Sequence, residues 1–122
     1  MPSISVIIST YNKPHFLKKV LTGYSFQTFN DFEIIIADDG SSNETKEIIT
    51  EFKGLIPQKI CHVWHEDNGF RKCKILNTAI MKSSNDYLVF SDGDCIPDSH
   101  FLETHSRFCL LYTSPSPRDD SQ

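Results

Sequence analysis

No run of apolar residues in this 122-residue chain approaches the length of about 18 needed to cross a bilayer. The opening Met1-Pro2-Ser3-Ile4 has neither the basic nor the apolar stretch of a secretory signal. Positive charge is also short. Twelve Lys and Arg stand against 16 Asp and Glu, a net charge of −4, so there is no basic face for sequence-independent grip on nucleic acid. Cys61, Cys73, Cys95 and Cys109 show no Cys-x-x-Cys spacing, which argues against a zinc knuckle or a disulfide framework and points to reduced thiols filling space. Ser9-Thr10-Tyr11-Asn12-Lys13-Pro14 contains no glycine, so the phosphate-cradling loop expected of a nucleotidyltransferase is missing. These absences leave one cytoplasmic domain with no nucleic-acid partner. An acidic chain of this kind holds an anionic phosphate ligand best when a bound cation reverses the local sign.

What is present alternates between strand and helix signals. Ser3 to Ser9 is β-branched and nearly continuous in apolar content, as a strand covered on both faces should be. Asn12 can cap the next helix, Pro14 suits its first turn, and Phe16, Leu17, Val20, Leu21 and Tyr24 recur at helical spacing to about Gln27. Phe32 to Ala37 reads as a second buried strand, followed by the turn Asp38 to Asn43 and a helix carrying Ile48, Ile49 and Phe52. Lys59 to His65 reads as strand three. Residues 70 to 82 bring Phe70, Cys73, Leu76, Asn77 and Ile80 onto one helical face, and Asp86 to Ser91 form strand four. A βαβαβαβ order predicts an α/β fold with a mainly parallel sheet and helices on both sides.

In such sheets ligands bind outside the carboxyl ends of the strands. Each polar cluster falls at such an end: Thr10-Tyr11-Asn12, Asp38-Asp39-Gly40-Ser41, Glu66-Asp67-Asn68-Gly69 and Asp92-Gly93-Asp94. Two carboxylates at i and i+2 on a turning backbone can face one hard divalent cation. Alone, an Asp-Gly-Asp is a weak signal, because acidic pairs beside glycine are common in solvated turns. Arg71 and Lys74, three apart, would share a helical face and could reach phosphate oxygens, while Lys72 points elsewhere and reads as surface. Asn77 shares the side of Arg71 and Lys74. His100 and His105 read as surface residues, and nothing supports a metal role for His62 or His65.

Ser5-Val6-Ile7-Ile8-Ser9-Thr10-Tyr11-Asn12 and Glu33-Ile34-Ile35-Ile36-Ala37-Asp38-Asp39-Gly40-Ser41-Ser42 resemble the two signature segments of the glycosyltransferase family 2 enzymes. Asp67-Asn68-Gly69-Phe70-Arg71 through Asn77-Thr78-Ala79-Ile80, then Asp92-Gly93-Asp94, follow in that family's order, and the resemblance covers residues 3 to about 105. It implies a GT-A fold, a Rossmann-like three-layer sandwich, and a metal motif of the Asp-x-Asp type. Thr10, Tyr11 and Asn12 would then belong to the nucleotide loop, with Thr10 and Tyr11 lining the base pocket. Asp39 would accept from the base N–H, and Asp38 beside it either joins that pocket or bonds turn amides. Arg71, Lys74 and Asn77 would face the diphosphate and sugar. Asp92 would touch the ribose and, with Asp94, hold Mn2+ or Mg2+. The implied reaction is inverting transfer from a UDP-sugar to a saccharide or lipid-linked acceptor in polysaccharide synthesis. Residues 68–73 and 91–97 look closest to bacterial capsule and lipopolysaccharide enzymes, including a chondroitin-polymerase-like branch. Peripheral association with the inner face of the cytoplasmic membrane is compatible with that role.

The family's carboxylate base and a later metal-ligating histidine are not assignable within these residues. Residues 1–108 therefore read as the donor-binding half of a GT-A domain, truncated after the fourth strand and the metal motif, and as a piece that on its own is inactive or binds nucleotide only. Residues 109–122 turn Ser/Pro-rich and polar, the composition of a non-native or disordered tail. A phosphatase with an aspartyl nucleophile also uses two Asp separated by one residue, but on its first strand.

Overall fold

The computed structural model describes residues 3–67, 69, 71–85 and 87–111, with side chains as far as Arg107. Asn68, Phe70 and Asp86, used in the reading above, lie outside the described residues, as do 112–122. Four strands, β1 (Ile4–Thr10), β2 (Phe32–Asp38), β3 (Ile60–Trp64) and β4 (Tyr87–Asp92), alternate with α1 (Pro14–Ser25), α2 (Asn43–Lys53), α3 (Lys72–Lys82) and α4 (Phe101–Leu111). The sheet order is β3-β2-β1-β4, and all three pairings are parallel. Among the described residues, no helix is long and apolar enough to cross a membrane.

Strand alternation divides the core in two. Ile4, Val6, Ile8, Ile34, Ile36, Ile60 and Val89 face Leu17, Val20, Leu21 and Tyr24 of α1, Ile49 and Phe52 of α2, and Leu102 of α4. Ile7, Ile35, Ala37 and Val63 face Ile75 and Ala79 of α3. Helices therefore cover both faces, giving the three layers expected. The isoleucines of β1 and β2 are wholly buried, and each such side chain contributes about 1.5–3 kcal/mol by leaving water. β1 and β2 thus form the rigid centre on which the loops are mounted.

Several local expectations are corrected. Lys13 and not Asn12 occupies the N-cap of α1, without a side-chain cap. Asn12 adopts φ +47° and turns its Oδ1 to accept from the Ser42 amide at 2.9 Å. Phe16 is exposed, because the buried stripe of α1 is Leu17, Val20, Leu21 and Tyr24. On α3 the buried residues are Ile75 and Ala79, with Cys73 and Asn77 exposed. α3 packs on the sheet through Ile75 and Ala79 with Leu76 and Ile80 beside them, which turns Cys73 and Asn77 outward. Cys73 and Cys95 are exposed thiols and fill no interior space. His105 is half-buried and partnered, not a free surface residue: its ring stacks edge-on against Phe101 at 4.9 Å, its Nδ1 meets the Tyr87 hydroxyl at 3.1 Å, and burial holds its pKa below the ordinary value.

Candidate active site at the topological switch point

β2 and β3 lie to one side of β1 and β4 to the other, so the crossover direction reverses at β1 and leaves a crevice beyond the carboxyl ends of β1 and β4. An open cavity of about 530 Å³ occupies it, walled by Thr10, Tyr11, Asp39, Asp67, Lys72, Asp92 and Asp94 among others. Two close approaches shape this crevice. A Cβ on Gly93 would stand 2.7 Å from the Ser9 carbonyl oxygen, and one on Gly40 would stand 2.5 Å from the Asp67 Cα. Glycine is therefore what lets the end of β4 lie against β1, and the β3–α3 loop against the β2–α2 turn.

The acidic loop after β4 is tied down from behind. Gln27 donates to the carbonyls of Gly23 (3.1 Å) and Asp98 (2.6 Å), and its Oε1 accepts from the Leu102 amide at 2.9 Å. At the front, Asp92 Oδ1 accepts from Ser9 Oγ at 3.1 Å and from Lys72 Nζ at 3.2 Å. These two donors, Lys72 first, hold the Asp92 carboxyl below its ordinary pKa. Lys13 Nζ lies 3.9 Å from Asp94 Oδ2 in an exposed pair, an arrangement worth little by itself. Asp92, Asp94 and Cys95 each bring a donor atom within 4.8 Å of the others, all exposed. Two convergent carboxylates fit a hard divalent cation such as Mg2+ or Mn2+. Burial and the neighbouring carboxylates push the Cys95 thiol up, so it remains a neutral group beside them.

The two aspartates at the end of β2 part company because successive side chains point to opposite faces. Asp38 falls on the α1 and α2 face and is wholly buried. Its Oδ1 accepts from the Ser41 amide at 2.9 Å and its Oδ2 meets His62 Nε2 at 2.8 Å. Its carboxylate is engaged in the turn, and it is not among the residues that wall the cavity. Asp39 falls on the α3 face and lines the cavity. Its Oδ1 meets His65 Nε2 at 2.5 Å and its Oδ2 accepts from the Arg71 amide at 3.0 Å. Burial pushes the Asp39 carboxyl up, but the His65 and Arg71 hydrogen bonds and charges outweigh it and hold the group below its ordinary value. Tyr11 lies half-exposed across the mouth and donates to Asp67 Oδ2 at 2.6 Å. That bond is the main reason its phenol is held above the ordinary pKa.

Thr10, Tyr11, Asp39, Asp92 and Asp94 thus share one cavity. The others are elsewhere. Asn12 braces two loops through Ser41 and Ser42. Arg71 precedes α3 as its N-cap, so it shares no helical face with Lys74, and its guanidinium donates to the Glu66 carbonyl at 3.0 Å. Lys74 and Asn77 are exposed and do not line the cavity. Among the described residues, the cations that do are Lys13 and Lys72; Lys72, set aside as surface in the sequence reading, opens α3 and reaches Asp92 at the strand ends. His65 and Asp67 were also missed. Carrying the β2–β3 register one residue past its last pairing, Asp38 with Trp64, aligns Asp39 with His65, a signal that register alone contains.

A family model described as glycosyl transferase family 2 matches residues 5–108. Glycosyltransferase AglE of Haloferax volcanii is 34% identical over 105 residues, which cover 84% of this chain and 34% of that protein. Chondroitin synthase of Escherichia coli is 31% identical over 103 residues, covering 84% and 15% respectively. The chain spans about a third or less of the length of these relatives. Among solved structures, S. aureus TarS 1-349 in complex with UDP-GlcNAc superposes with a TM-score of 0.77 at 24% identity, over 92% of this chain and 32% of that one. Mannosyltransferase PcManGT from Pyrobaculum calidifontis, in complex with GDP-Man and Mn2+, gives 0.70 at 23% identity, over 79% and 28%. Both likenesses show the α/β fold of GT-A glycosyltransferases. With the family model spanning both strand-end signatures and the acidic motif, the chain belongs to glycosyl transferase family 2.

Proposed function

We propose that this chain is the donor-binding part of a glycosyltransferase that takes a nucleoside-diphosphate sugar, with UDP as the carrier, in a metal-dependent manner. One observation carries the reading: Asp39, Tyr11, Lys72 and the Asp92/Asp94 pair line a single cavity at the switch point of the sheet. Asp39 accepts from the N–H of the base. The Tyr11 ring offers a flat apolar face to that base while its hydroxyl stays bonded to Asp67. Lys72 stands beside Asp92, where its ammonium meets phosphate oxygens as a point charge. Asp92 and Asp94 would hold Mn2+ or Mg2+, which when bound supplies positive charge to the leaving diphosphate.

Inverting transfer to a saccharide or lipid-linked acceptor, in cell-envelope polysaccharide synthesis, completes the proposal. It draws on family membership and on relatives named as chondroitin synthase and poly(ribitol-phosphate) beta-N-acetylglucosaminyltransferase. A cytoplasmic location, with peripheral association at the inner membrane face, fits enzymes of that kind. The test is calorimetric titration of UDP into the chain with and without Mn2+, alongside Asp92→Ala and Asp94→Ala variants. Metal-dependent heat lost in both variants is the expected result. A folded wild-type sample that gives no heat, or variants that retain metal-dependent heat, would refute the donor-site assignment.

A further inference from the structure

Two histidines of the β3 segment each meet one of the paired aspartates, and their surroundings differ. His62 meets Asp38, which is engaged in the turn. His65 meets Asp39, which lines the cavity. The His65 and Asp39 side chains are 17% and 9% exposed, so the contact is largely shielded from water but opens on one side to the crevice. A carboxylate has about four lone-pair sites; His65 uses one on Oδ1 and the Arg71 amide one on Oδ2. The sites left over accept hydrogen bonds and cannot donate them.

We propose that His65 is a positioning residue for nucleobase selection: its Nε2–H locks Asp39 as an ionised, acceptor-only group, so that the cavity takes a base presenting a ring N–H and rejects one presenting a bare ring nitrogen. Uracil has such an N–H at N3, where cytosine has an acceptor. The inference rests on the donor-site reading above and deepens it. Without His65, Asp39 keeps one anchor, the Arg71 amide, and is free to rotate. Its burial then favours the protonated acid, whose O–H can donate to cytosine N3. Loss of His65 therefore weakens uracil binding and narrows the preference over cytosine together, whereas loss of mere packing would weaken both ligands alike. Glu66, Asp67 and the Arg71 guanidinium are the nearby charged groups on the same loop, and none replaces the imidazole, since Arg71 is already bonded to the Glu66 carbonyl.

The experiment titrates UDP and CDP, each with Mn2+, into the wild-type chain and the His65→Met and His65→Gln variants, with circular dichroism as the folding control. A hydrogen bond to a charged group carries about tenfold or more in affinity. His65→Met should bind UDP about tenfold more weakly with a reduced UDP-to-CDP ratio, and His65→Gln, whose amide still donates, should recover most of both. A folded His65→Met that binds UDP as wild type does, or a His65→Gln that loses as much as His65→Met, overturns the proposal. A nitrogen-15 spectrum of the wild-type imidazole decides the matter even if a variant fails to fold, because the proposal requires the proton on Nε2 and a bare Nε2 refutes it. Absence of UDP heat from the folded wild type would sink the donor-site reading and this proposal with it. Normal wild-type heat with an unmoved His65→Met sinks this proposal alone.

Discussion

Replacing Gly40 by alanine tests the contact that brings the loops of the site together. Gly40 has φ +92°, and a Cβ there would lie 2.5 Å from Asp67 Cα and 2.6 Å from Asp67 N, backbone atoms that no rotamer change can move aside. A left-handed backbone costs an ordinary residue about 1–2 kcal/mol, and forcing atoms into a filled space costs a further ~1–3 kcal/mol. Gly40→Ala should therefore lower the unfolding free energy by about 2–5 kcal/mol, a large part of the roughly 5–15 kcal/mol of a whole domain. Gly69 provides the control. Its φ is +84° with nothing among the described residues within 4 Å of an added Cβ, so Gly69→Ala carries the backbone cost, about 1–2 kcal/mol. Urea unfolding of both variants, compared at constant m, isolates the steric part as the difference. Equal losses, to within about 0.5 kcal/mol, would refute the claim that the β3–α3 loop is seated on Gly40.

Asp38→Ala should destabilise the chain by about 1–3 kcal/mol for each donor it strands, the Ser41 amide and His62, measured by the same urea unfolding; a neutral outcome would mean that Asp38 does not organise the turn. Lys72→Met should weaken UDP binding while leaving binding of Mn2+ alone unchanged or tighter, since the ammonium beside Asp92 attracts phosphate but competes with the cation. Calorimetry showing both affinities falling together would contradict that assignment. Burial pushes the Tyr24 phenol up to about 12, from 10.0 in its ordinary state. The unfolded phenol ionises near pH 10 while the folded one keeps its proton, so stability present below pH 10 is lost as pH rises to about 12. The full loss attributable to Tyr24 is about 3 kcal/mol, of which about 1.3 kcal/mol falls between pH 9 and 11; urea unfolding at those two pH values should show that Tyr24→Phe escapes it, and an equal alkaline loss in both proteins would remove the cause from Tyr24.

The sequence by itself determined the architecture. Continuous β-branched runs at residues 4–10 and 32–38, separated by a stretch of helical period, admit little but a parallel sheet with helices on both sides. The polar clusters after each run then had to gather at one edge. Thr10, Tyr11, Asp39, Asp92 and Asp94 were legible for that reason: they close the strands or stand just beyond them, and the strand ends carry them to the crevice. Tertiary structure decided which neighbours complete the site. Which residues of α3 face the strand ends is set by how the helix packs on the sheet through Ile75 and Ala79, and that packing put Lys72 rather than Lys74 against Asp92. Side-chain alternation assigned Asp38 to the core and Asp39 to the cavity, but only the register of β3 beside β2 could add that one meets His62 and the other His65. Local periodicity records which way a residue faces along its own element. What it faces depends on the offset between elements distant in sequence, and that offset is set by packing.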